Sequence, residues 1–169
     1  IKKLREQTGA GVADCRQALE ECSCDFKKAE AWLRKKGLER AEKKGEREVR
    51  SGAVFSYVHH TGRVGSLVAL ACETDFVAKT DEFQHLGKEL ALHVAASKPN
   101  SIEELLDQEY VRDPSQKISD LVKQAIGKLG ENIKVVDFKA CLVSLRTGRL
   151  IIPWVNGLRS EKILSTQGR

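Results

Sequence analysis

The apolar residues of this chain change their spacing partway along, and that change limits the possible fold more than any other feature. As far as residue 37 they recur at helical intervals: Ile1 with Leu4, then Val12, Cys15, Leu19 and Cys22, then Phe26, Ala29 and Leu33. From Ala53 the interval becomes two. "AVFSYV" (53–58) and "RVGSLVALAC" (63–72) flank "HHTG", which reads as a hairpin whose turn uses Gly62, with His59 and His60 solvated on it. Helical spacing returns from about Asp81 to Ala96, where Phe83, Leu86, Leu90 and Val94 form a stripe flanked by His93. A last alternating run, "IKVVDFKACLV", sets Val136, Phe138, Ala140 and Leu142 against Asp137, Lys139 and Cys141, a third strand with one buried face. Helices followed by a mixture of strands and helices predict an α+β fold.

Punctuation along the chain divides it further. "GAG" at 9–11 separates the first two helices, Asp25 precedes the third, and Gly37 reads as its stop. Pro99 ends the helix that begins near Asp81. Ser101 and Glu104 have capping-box spacing at the head of a short helix, and Gly130 closes the stripe Ile118, Leu121, Val122, Ala125 and Leu129. The expected organisation is a three-helix docking module at 1–37, a charged linker helix at 38–50, an α+β core at 51–142 and a tail at 143–169. Three helices in so few residues are too small to enclose a substrate, so the module reads as a docking unit.

Composition sets the class. With 41% hydrophobic and 31% charged residues in 169, the chain reads as globular, and no apolar run approaches the roughly 20 residues that span a bilayer. A cytoplasmic location is expected. Residue 1 is Ile rather than Met, so a processed or missing start and a truncated first helix are expected too. The five cysteines form no C-x-x-C pair and suit reduced thiols; Cys22 and Cys24 with His59 and His60 have zinc-ligand chemistry, the alternative being that Cys15 and Cys22 are small core residues. No cofactor is expected. The net charge of +5 concentrates around "RKKGLERAEKKGEREVR" (34–50), whose alternating signs suit i,i+4 pairs on a solvated helix better than a phosphate-tracking stripe. A basic RNA- or ribosome-associated protein is the rival reading, although the chain offers few aromatic residues for base stacking. Enzymatic chemistry finds little beyond Glu73 and Asp75, with no nucleophile and base at defined spacing and no phosphate-binding Gly loop.

One stretch resists a purely structural reading. In "SLVALACETDFVAKTDEF" (66–83) a strand runs into a connection that holds Phe76 beside the carboxylate of Asp75, where a simple reversal favours Gly, Asn, Pro or Ser.

The ordered strings "IKKLREQTGAGVADCRQALEECSCDFKKAEAWLRKKG", "CETDFVAKTDEFQHLGKELALHVAASKP" and "AIGKLGENIKV" resemble the elongation factor Ts family, guanine-nucleotide exchange factors of elongation factor Tu. The resemblance spans roughly residues 1 to 138, and its motifs T-G-A-G with D-C-x-x-A-L, T-D-F-V and L-G-E-N-I occur in the family's order. It implies an N-terminal three-helix module similar to ubiquitin-associated domains and a core of three antiparallel strands packed with helices. It also implies that the Thr74, Asp75, Phe76 and Val77 loop docks on the GTPase domain, with the Phe76 ring displacing Mg²⁺ and perturbing the nucleotide site. Val12 is the expected second contact, the alternative being that it only fills the small helical core. A homodimer is expected, as in short members with one core half, and no membrane or direct nucleic-acid partner is.

Two departures accompany the resemblance. The chain passes almost directly from Pro99 to "LLDQEYVRDPS", as a short member would. From about Lys139 onward the likeness is expected to fail, leaving "VSLRTGRLIIPWVNGLRSEKILSTQGR" as a divergent extension or a reading-frame artefact, loosely attached and of little weight in exchange.

Overall fold

The computed structural model describes residues 1–143; the tail expectation falls on residues outside that range. The chain opens with α1 (Lys2–Thr8), α2 (Val12–Glu21) and α3 (Phe26–Lys44). Leu4, Cys15, Ala18, Ala29 and Leu33 close a small core between them, with Leu19, Cys22 and Trp32 partly buried against it. Asp25 caps α3, its carboxylate accepting from the N–H groups of Lys27 (3.0 Å) and Lys28 (3.2 Å). Asp14 of α2 takes Arg40 of α3 in a two-pronged pair (2.5 and 2.8 Å) with Lys36 alongside, and the Arg40 hydrogen bond holds its carboxyl below the usual range.

Gly37 does not stop α3. The expected boundary between module and linker falls inside one continuous helix of 19 residues. A close contact forms at this point instead: a Cβ at Gly127 of α7 (Ile118–Leu129) would lie 3.3 Å from the Gly37 Cα, so the glycine of α7 lets the helix backbones cross closely, while a Cβ at Gly37 itself would meet open space. Beyond the crossing, Ala41 enters the main core, Glu42 pairs with Lys123 (2.8 Å), and Lys44 donates to the Gly130 carbonyl (2.7 Å).

The main sheet has the order β1 (Ser51–Val58), β2 (Val64–Cys72), β5 (Ile133–Leu142), antiparallel throughout. Its alternation turns Phe55, Val68, Leu70, Cys72, Phe138 and Ala140 inward, where they meet Phe83, Leu86, Leu90 and Val94 of α5 (Asp81–Ser97). Each Phe, Leu or Val side chain among them, fully buried, contributes roughly 1.5–3 kcal/mol. The sheet and α5 approach closely at Gly87, where a Cβ would stand 2.2 Å from the Phe55 ring. Buried Ser66 fastens the same layer by donating to the Ala91 carbonyl (2.6 Å).

In the third strand Val136 does not share the inward face. Ala69 pairs with Asp137 but Leu70 pairs with Val135, so Val136 is the extra residue of a bulge and stands exposed. A connection that shows no alternation contains α6 (Ile102–Asp107) and a small hairpin, β3 (Glu109–Tyr110) and β4 (Asp113–Lys117). Side chains of α5 hold it. The Tyr110 hydroxyl donates to buried Glu89, which also takes Arg112 (2.9 Å); burial and the Glu89 carboxylate push the Tyr110 hydroxyl up to about 12. His93 accepts from the Val111 N–H at Nδ1 (3.4 Å), which leaves Nε2 to donate to Gln108 (3.0 Å).

Candidate functional site

β2 delivers the chain to a single helical turn, α4 (Asp75–Ala78), and every polar group of the residue that begins it is engaged. Thr74 has extended backbone angles and caps α4, its hydroxyl accepting from the Val77 N–H (3.4 Å). The same hydroxyl donates to Glu131 Oε1 (2.7 Å), while the Thr74 N–H donates to Glu131 Oε2 (3.0 Å). The Thr74 carbonyl accepts from the Cys72 thiol (3.1 Å), whose pKa burial and the nearby Glu131 carboxylate raise above the ordinary value. At the far end Thr80 caps α5 and donates to the Val77 carbonyl (2.7 Å), and Gln84 donates to the Ala78 carbonyl (2.8 Å).

Within this pinned turn the side chains divide by face. Val77 and Ala78 point into the main core. Asp75 lies outside in the first turn, where an acid suits the helix dipole, and Lys79 (2.9 Å) holds its carboxyl below the usual range. Phe76 is left uncovered, 78% exposed, the most exposed large apolar side chain among the described residues. A single exposed apolar residue is ordinary on a surface. An aromatic ring projecting from a turn anchored at both ends is a different matter, because its direction is set before any partner arrives.

Val12 stands on another element. It is the first residue of α2, 50% exposed, and lies outside the small core that its spacing suggested it would join. The structure therefore gathers Thr74, Asp75, Phe76 and Val77 into one turn and carries Val12 on the helical module. Between module and core lies a cavity of about 250 Å³, lined by Gly11, Asp14, Gly37, Arg40, Gly127 and Lys128 among others.

Sequence reasoning missed the residues that hold the turn. Glu131 and Asn132 had value only as part of L-G-E-N-I, yet they are its supports. The Asn132 N–H donates to Glu73 Oε1 (2.7 Å), and its buried side-chain amide donates to the carbonyls of Arg47 (2.7 Å) and Gly45 (3.3 Å). Arg47 returns to Glu73 at 3.6 Å. The exit from α3, the end of β2 and the start of β5 thus meet at one asparagine. The only local signal was a polar pair directly after a helix-ending glycine.

Among the described residues no three His, Cys, Asp or Glu side chains converge as metal ligands, and no helix is long and apolar enough to cross a membrane. A sequence model of elongation factor Ts matches residues 73–149. The elongation factor Ts of Fervidobacterium nodosum is 40% identical, over 82% of this chain and 93% of its own length. That of Synechococcus elongatus is 41% identical, with 82% and 83% covered, and that of Thermotoga neapolitana 41% identical, with 82% and 92% covered. These matches place the chain in the class of translation elongation factors. It belongs to the elongation factor Ts family, whose general role is guanine-nucleotide exchange on elongation factor Tu.

The Fervidobacterium alignment runs over 183 positions, more than the 169 residues of this chain, so that relative contains stretches with no counterpart here. The family model extends to residue 149, past Lys139, whereas the relatives' alignments cover 82% of this chain; β5 pairs with β2 as far as Leu142, the expected end of the core.

Proposed function

We propose that this chain releases GDP from elongation factor Tu by docking the Thr74–Val77 turn on the GTPase domain, with the Phe76 ring as a wedge. The observation that carries the reading is the exposed ring on a turn tied at both ends. Mg²⁺ and a phosphate-binding loop hold a bound nucleotide through charge and oriented N–H groups. Moving them by about an ångström removes contacts that GDP needs and displaces the metal. Factor and nucleotide then weaken each other by the same factor.

The size of that coupling calls for more than one contact. Weakening GDP by about 10⁴-fold needs about 5.5 kcal/mol, whereas burying one Phe supplies roughly 1.5–3 kcal/mol. Val12, exposed at the head of α2, is the second anchor in this reading. The chain's part is to bind and hold, not to make or break covalent bonds. The setting is the cytoplasm, where the factor works as a homodimer. In support of the dimer, Val54, Val58, Leu67 and Val136 stand exposed on the sheet strands; sedimentation equilibrium showing only monomer at micromolar concentration would remove that part.

The deciding experiment follows a fluorescent GDP analogue leaving elongation factor Tu after the chain is added in stopped flow. Acceleration that saturates with the chain's concentration is the expected result. Release at the spontaneous rate, with the chain folded by circular dichroism, would refute the proposal.

A further inference from the structure

We propose that Glu131 is a positioning residue for Phe76: by taking both the N–H and the hydroxyl of Thr74, its carboxylate fixes the direction in which the ring leaves the surface. The proposal rests on the docking reading of Phe76 given above.

A helix of four residues has no stability of its own, because one turn fixes several backbone dihedrals for very few hydrogen bonds. The conformation of α4 must therefore come from ties to the rest of the molecule. On the core side, Val77 and Ala78 are buried and Thr80 and Gln84 hold carbonyls of the turn. At the N-terminal side, where Phe76 departs, the ties are Thr74's own, and two of them end on Glu131. Charge-assisted bonds of this kind are stronger than neutral ones, and two on one carboxylate also fix orientation.

Glu131 is itself held. The carbonyl of Gly130 before it accepts from Lys44 (2.7 Å), and Asn132 after it makes three hydrogen bonds to Glu73, Arg47 and Gly45. The carboxylate is thus mounted on a rigid base. Its reach across to Thr74 transmits that rigidity to a ring that is itself mostly uncovered. Without it the Thr74 hydroxyl is free to rotate, the first turn of α4 frays, and the ring must be ordered at the moment of docking, a cost that appears in the bound or exchanging state.

The test is a double-mutant cycle on GDP release from elongation factor Tu, with Glu131→Ala, Phe76→Ala and both together. Glu131→Ala is expected to lower kcat/KM about tenfold in the presence of Phe76, and by less than about twofold in the Phe76→Ala background. Amide exchange gives a second readout independent of activity: the Thr74 and Val77 N–H groups should exchange at least about tenfold faster, with protection in α5 unchanged. Glu131→Gln keeps the volume and one acceptor oxygen, and should give an intermediate loss. Equal losses in both backgrounds, or unchanged exchange at Thr74 and Val77, would overturn the positioning role. Its failure is distinct from failure of the docking reading. If Phe76→Ala slows release and Glu131→Ala does not, only the positioning role falls; if Phe76→Ala has no effect, the wedge falls first.

Discussion

Replacing Phe76 by Ala separates folding from docking, because the structure assigns the ring almost wholly to the outside. With 78% of the residue exposed, only about a fifth is in contact with the protein. Full burial of a Phe side chain is worth roughly 1.5–3 kcal/mol, so truncation should lower the chain's own stability by no more than about 0.3–0.6 kcal/mol. In the docked state the same ring gains its remaining burial from the partner. The loss of transition-state stabilisation for GDP release should then approach 1.5–3 kcal/mol, about ten- to a hundredfold in kcat/KM. Two measurements on one preparation suffice: urea denaturation for stability, and stopped-flow release of fluorescent GDP for exchange. The reasoning is refuted if the variant loses several kcal/mol of stability, which would make Phe76 a core residue, or if exchange stays within about twofold of the parent.

Three further outcomes follow from the packing and the charges. Gly87→Ala should destabilise the chain by up to about 2 kcal/mol in urea melts, because overpacking Phe55 costs roughly 1–3 kcal/mol and the gain in helix propensity returns only about 1; a more stable variant would show that the Phe55 ring moves freely aside. A chain starting at Asp25 keeps α3 whole against α7 and should melt as a cooperative unit with weakened affinity for nucleotide-free elongation factor Tu by calorimetry. One starting at Leu38 loses the Gly37–Gly127 crossing and should melt several degrees lower, and equal melting of the two would contradict a structural role for the crossing. His93 is buried and neutral, its pKa depressed chiefly by burial. Its contribution should be complete above the unfolded value of about 6.5 and decline as pH falls through that value toward the lower folded one; a stability profile whose slope there is identical in His93→Gln would sink the assignment.

Much of the fold was legible because it is written in local period. The stripes at Phe83–Val94 and Ile118–Leu129, the hairpin closed at Gly62 and the caps at Asp25 and Ser101 each depend on residues within a few positions of one another. What was misread depended on distant partners. Gly37 has the local signature of a helix stop, yet α3 runs through it, and at that point the helix is crossed by α7 at Gly127. Val136 fits an inward alternation until pairing with β2 inserts a bulge. The β3–β4 hairpin lacks alternation altogether, and is held by Glu89 and His93 from α5. At the candidate site the same division holds. Phe76 drew attention by being out of place in a turn, but nothing near Glu131 in sequence reveals that its carboxylate closes on Thr74.

The unbroken α3 has a consequence for how the two proposed anchors can be aimed. One end of the helix packs with α1 and α2, which bears Val12, and the other packs on α7 next to the support for Phe76. Each residue in an α-helix advances about 1.5 Å and turns about 100°. The number of residues between Leu33 and Ala41 therefore works as a phase setting: adding or removing one would swing the module about a third of a revolution around the helix axis and carry Val12 to another side of the molecule. Change in this segment should be tolerated as substitution but not as insertion or deletion, unless about seven residues, close to two full turns, come or go together.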